Sequence, residues 1–153
     1  MNYIKLQADI LKAADKQERS GKRSPYMYGM IEDFIGVIVD GYYLTLIRKN
    51  RFYLDLDKVF PHTAPVTIKN FIDGSEDTLQ AEDTGVIRTV ADGRKVRVFE
   101  TKEAEIWIDE NALKYFDLSN STFRASEKNK PLYIYEDDLG ETLVGMIFPV
   151  NHS

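Results

Sequence analysis

The chain contains no cysteine, which excludes disulfides, thiolate metal sites, cysteine nucleophiles and iron–sulfur clusters together. Histidine is nearly absent. His62 and His152 are the only two, and neither stands at metal-ligand spacing from the other or from a carboxylate pair on a helix. No apolar run approaches the roughly 18 residues that would span a bilayer. Met1 to Ile10 carries Lys5 and Asp9 where a signal peptide would carry an apolar core. No Gly-rich phosphate loop, GxSxG or HExxH occurs. Only 9 Gly and 5 Pro occur among 153 residues, so collagen-like and low-complexity chains are excluded as well. What is present, 43% hydrophobic and 29% charged residues, is the composition of an ordinary folded protein. The expectation is one cytoplasmic domain over 1–153, not an enzyme, with no cofactor.

The net charge is −5, and it is unevenly placed. Residues 1–77 hold 11 Lys/Arg and 11 Asp/Glu, whereas residues 78–153 hold 9 against 14. Between Lys12 and Arg23, five bases (Lys12, Lys16, Arg19, Lys22, Arg23) face Asp15 and Glu18, a local +3. Such a protein does not coat nucleic acid by bulk charge, yet it can present one basic face.

Residues 8–19, rich in Ala, Leu, Lys and Gln, predict a helix that Gly21 ends. Ile10, Leu11 and Ala14 form its apolar side. At about 100° per residue, Lys12, Lys16 and Arg19 fall within roughly 60° on the opposite side. Lys22 and Arg23 lie just past the C-terminus, where positive charge suits the helix dipole. After Pro25 the pattern turns to strands. Asp40-Gly41 predicts a type I′ hairpin turn within residues 36–47, and Asp92-Gly93 separates residues 84–91 from 94–100. FYLDL (52–56), VTIKNFI (66–72) and EIWI (105–108) also read as strands. In the last of these, Trp107 is expected to be buried, with Ile106 and Ile108 on the opposite side. DENALKYF (109–116) predicts a second helix with Asp109 as N-cap. STFRAS, PLYIYE and ETLVGMIFPV follow as strands, the last two joined at Asp137–Gly140, and Pro149 closes the final one.

Carboxylates cluster at Glu136-Asp137-Asp138, at Glu32-Asp33 and at Glu103/Glu105. They would suit a carboxylate-dependent hydrolase, but turn chemistry accounts better for Asp137-Asp138, and the polar face of a strand for Glu103 and Glu105. Tyr42-Tyr43, Phe52-Tyr53 and Tyr133/Tyr135 look like base-stacking platforms. Each is embedded in a strand run, however, where aromatics pack into cores.

The run IDENALKYFDLSNSTFRASEKNKPLYIYEDDLGETLVGMIFPV, residues 108–150, resembles the end of a DNA sliding-clamp domain. There a short helix precedes a strand meander that closes in an apolar strand with a proline. The N-terminal order, a strand, the basic helix and then DGYYLTLIRKNRFYL, resembles the first half of such a domain. The resemblance implies an α+β fold of two similar β-α-β-β-β halves, about 1–77 and 78–153. It implies mainly antiparallel sheets with two helices packed on one face. It further implies a processivity-factor-like protein, of phage or mobile-element origin, whose basic residues Lys12, Lys16, Arg19, Lys22 and Arg23 meet duplex DNA without reading sequence. One chain supplies one domain, so a ring would require self-assembly. The competing reading is a protein-interaction or inhibitor module that does not use DNA. Neither reading involves a membrane.

Overall fold

The computed structural model describes residues 1–55, 65–137 and 141–152. The chain divides into two compact units, Asn2–Ile72 and Asp73–Ser153, the second joined by Met1.

The first unit opens on helix α1, Tyr3–Ser20, five residues earlier than the composition of 8–19 indicates. The cause is Asn2, whose side chain accepts from the Lys5 N–H at 3.0 Å and caps the first turn. The helix ends as expected at Gly21, in the left-handed region at φ 70°, with its N–H on the Gln17 carbonyl at 2.8 Å. Leu6 and Ile10 are buried, and between them so is Gln7. The Gln7 amide donates to the carbonyls of Tyr3 at 3.1 Å and Arg51 at 3.0 Å, while its oxygen accepts from the Tyr53 N–H at 2.7 Å. A buried polar group satisfied at both ends in this way carries no desolvation penalty and ties helix to loop.

Three antiparallel strands follow: β1 Tyr26–Ile31, β2 Phe34–Val39 and β3 Tyr43–Arg48. Asp40 and Gly41 both take positive φ, 52° and 74°, as a type I′ turn requires. Glu32-Asp33, the acidic pair noted in the sequence, forms the tight β1–β2 connection. FYLDL is not a strand over its described part, because Lys49–Arg51 forms a 3-10 turn and Phe52 to Asp55 continue without a ladder. VTIKNFI is likewise helical: α2 spans Pro65–Ile72 and packs against β1. Pro65 at the first helical position supplies a preset φ and costs no hydrogen bond, and this outweighs the β-branched composition behind it. Ile68 is fully buried over Gly36 of β2, where an added Cβ would lie 2.9 Å from Ile68 Cδ1 and 3.2 Å from Leu44 Cδ1. Glycine stands at position 36 because helix and strand approach too closely for a side chain.

The second unit contains six strands: β4 Leu79–Thr89, β5 Lys95–Glu100, β6 Glu105–Asp109, β7 Ser121–Ala125, β8 Leu132–Asp137 and β9 Glu141–Ile147. Their order is β9-β8-β7-β4-β5-β6, every pair antiparallel. Phe99, Ile106, Ile108, Leu132, Ile134 and Met146 are fully buried, and Phe99 packs on Phe123 with ring centroids 4.9 Å apart. The expected helix at 109–116 is instead a 3-10 turn, Glu110–Leu113. Asp109 still caps it, accepting from the Asn111 N–H at 2.9 Å. Ala112, Leu113, Tyr115 and Phe116 are all buried, so the apolar side that the spacing predicts is formed, but on a shorter turn than an α-helix. The turn expected at Asp138–Gly140 lies outside the described residues. β9 ends two residues before Pro149.

The fold is therefore α+β and antiparallel, as expected, but neither unit shows the β-α-β-β-β order. No strand precedes α1, both described α-helices belong to the first unit, and the second has none among its described residues.

Candidate functional site

The two units divide the charge more sharply than the midpoint of the sequence does. Asn2–Ile72 carries eleven Lys/Arg against eight Asp/Glu, +3, and Asp73–Ser153 carries nine against seventeen, −8. Asp73, Glu76 and Asp77 fall on the acidic side of the boundary.

The surplus of the basic unit lies in α1 and the turn that follows it, where residues 3–23 hold six Lys/Arg against three Asp/Glu. Lys12, Lys16, Arg19, Lys22 and Arg23 are all exposed. The earlier start of the helix adds Lys5, also exposed, seven residues before Lys12 and so about 20° from it around the axis. The signal for Lys5 was Asn2 as a cap. Arg19 is set apart from the rest, since its guanidinium pairs with the Asp15 carboxylate one turn back. Lys5, Lys12, Lys16, Lys22 and Arg23 have no ion-pair partner among the described residues. The turn carrying Lys22 and Arg23 is fastened to the helix: Ser20 Oγ donates to the Lys16 carbonyl at 2.6 Å, and the Ser24 N–H donates to Gln17 Oε1 at 3.2 Å. Beside this stripe Ile4 and Leu11 stand half exposed, 56% and 49%, so Leu11 does not belong to the buried side.

The acidic unit spends its arginines internally. Arg97 donates to both carboxylate oxygens of Asp83 and both of Glu110, every distance 3.1 Å. The Glu110 bonds, and then those of Asp83, hold its guanidinium above the ordinary pKa despite partial burial. Arg94 meets Asp92 at 2.7 Å and Asp109 at 3.8 Å, while Arg124 bonds Thr78 through its carbonyl and hydroxyl. The bond from the Arg94 backbone N–H, and that from its side chain, pull the Asp92 carboxyl below its ordinary value.

Trp107 is not a core residue. The alternation in β6 is as expected but its sides are reversed: Ile106 and Ile108 are fully buried and Trp107 is half-buried. Its ring stacks on His152 at 4.1 Å and 6°, its Nε1–H donates to Glu105 Oε1 at 2.6 Å, and the Arg88 guanidinium stands 5.6 Å from its centroid. His62 lies outside the described residues, as does Asp138. Glu136 is paired with the N-terminal amine of Met1. Among the described residues no group of three or more His, Asp or Glu could hold a metal ion. Of the aromatic pairs, Tyr43 and Tyr133 are buried and Tyr53 is exposed. No described helix is long and apolar enough to cross a membrane.

Comparison with known protein families, with curated proteins and with solved structures returned no match.

Proposed function

We propose that this is a binding protein, without catalytic activity, that touches the phosphate backbone of duplex DNA through α1. The observation that supports the reading is the exposed stripe of Lys5, Lys12 and Lys16, continued by Lys22 and Arg23, on the unit that carries a positive surplus. Ammonium groups on one helix side neutralise phosphates without reading bases, so contact is independent of sequence and steeply salt-dependent. Arg19 is a minor contributor because Asp15 already occupies it.

The test is titration of a fluorescent duplex at several salt concentrations. With three to five phosphates neutralised, log K should fall against log salt with a slope of about −3 to −4.5. Lys5→Glu/Lys12→Glu/Lys16→Glu should abolish binding, and Arg19→Gln should change it little. Equal binding by the triple variant and the parent would leave the stripe a solvated helix side.

A further inference from the structure

Strand β6 ends the order of the acidic unit, so one of its sides has no strand beside it among the described residues. The last described residues lie there instead. The Val150 N–H donates to the Trp107 carbonyl at 2.8 Å. His152 Nε2 stands 3.0 Å from the Glu105 carbonyl, a contact in which Nε2–H must be the donor, and its ring lies flat on Trp107. The tail thus takes the two carbonyls of alternate residues that an added strand would take. The surroundings are acidic. A groove of about 470 Å³ runs alongside, lined by Glu103, Glu105, Glu127, Lys128 and His152 among others. Glu105 also faces Glu100 directly across the β5–β6 ladder, a like-charge pair that destabilises unless a cation joins it.

We propose that the outer side of β6 is a strand-addition site for a basic, extended peptide of a partner protein, for which Val150–His152 is the resident stand-in. The incoming backbone takes the Glu105 and Trp107 carbonyls, in the way peptides add to open sheet sides. Its Lys or Arg side chains meet Glu103, Glu105 and Glu127, and its backbone displaces His152 from the Trp107 ring, which keeps the Arg88 guanidinium 5.6 Å from its centroid. Two copies of β6 laid antiparallel would bring acidic Glu105 and Asp109 together, so charge selects against a second copy of this chain.

Trp107 is the sole tryptophan and reports the exchange by its fluorescence. The probes are the hexapeptide Lys-Val-Lys-Val-Lys-Val, its Glu-Val counterpart, and Lys-Pro-Lys-Pro-Lys-Pro, which has equal charge but cannot pair as a strand. The Lys-Val peptide should bind, and the Lys-Pro peptide at least about tenfold more weakly. The Glu-Val peptide should not bind. Ending the chain after Phe148 should raise affinity for the Lys-Val peptide, and so should His152→Ala, which leaves the rest of the tail in place. Glu103→Gln/Glu105→Gln should lower it about three- to tenfold. Equal binding of the Lys-Val and Lys-Pro peptides would reduce the effect to bulk charge and overturn the proposal. Unchanged affinity in both tail variants, or dimerisation of the shortened chain in place of peptide binding, would overturn it as well.

Discussion

The basic unit lines unpaired bases along one helix, whereas the acidic unit ties its arginines to its own side chains and leaves only lysines unpaired. On α1, Lys5, Lys12 and Lys16 reach solvent and form no ion pair among the described residues. In Asp73–Ser153 all four arginines are engaged: Arg88 over Trp107, Arg94 on Asp92 and Asp109, Arg97 on Asp83 and Glu110, and Arg124 on Thr78. A base bound to two carboxylates is a structural part, whereas an unpaired one on a helix surface is available to a ligand. The net −5 of the chain describes neither unit.

If the acidic unit is held by its core, the largest single effect should come from an apolar residue. Ile106→Ala removes a fully buried side chain and should cost about 2–5 kcal/mol in urea unfolding. Trp107→Ala should cost distinctly less and should release His152, which would show as a changed imidazole environment in NMR. A larger loss at Trp107 than at Ile106 would restore the tryptophan to the core.

The next largest effect sharpens the contrast between inward and outward bases. Arg97→Ala strands Asp83 and Glu110 together and should cost about 1–3 kcal/mol. Lys12→Ala makes the same change in charge and should stay within about 0.5 kcal/mol of the parent. Comparable losses from the two would erase the distinction.

The smallest effect is in acid. The carboxyls of Asp92 and Asp117 sit below their ordinary value of 3.8, Asp92 first through the Arg94 backbone N–H and Asp117 first through the Asn120 amide. A depressed native value means that their contribution is present above the unfolded pKa and is lost as pH falls through the native one. Carboxyl NMR titrations should place both midpoints below 3.8, and Asn120→Ala should move Asp117 back toward that value. A midpoint already at the ordinary value in the parent would remove these bonds from the account.

Much of the fold was legible where local chemistry decides it. Asp40-Gly41 and Asp92-Gly93 are turns because their backbone conformations suit those residues, and Gly21 stops α1 for the same reason. Legibility failed where two local signals competed or where a distant partner decided. In VTIKNFI the β-branched residues pointed to a strand, while Pro65 and the helical spacing of Ile68, Phe71 and Ile72 pointed to α2. Alternation in EIWI placed Trp107 opposite its isoleucines, but which side faces the core depends on Phe99 of the neighbouring strand and on Phe123 beyond the next turn. At the candidate site the lysine spacing was visible from composition alone. The pairing of Arg19 with Asp15 follows an i,i+4 rule that was available. The stack of His152 on Trp107 spans 45 positions and leaves no trace in either neighbourhood.

Gln7 has one further consequence. A helix resting on a smooth apolar surface can roll about its long axis with modest loss, since leucine and isoleucine pack at many angles. Three hydrogen bonds from a single amide to Tyr3, Arg51 and Tyr53 work like a key in a keyway. A roll by one residue position, about 100°, would break the bonds to Arg51 and Tyr53 and leave only the one to Tyr3 within the helix. The azimuth of α1, and with it the compass bearing of Lys5, Lys12 and Lys16, is thus set by an uncharged, buried side chain.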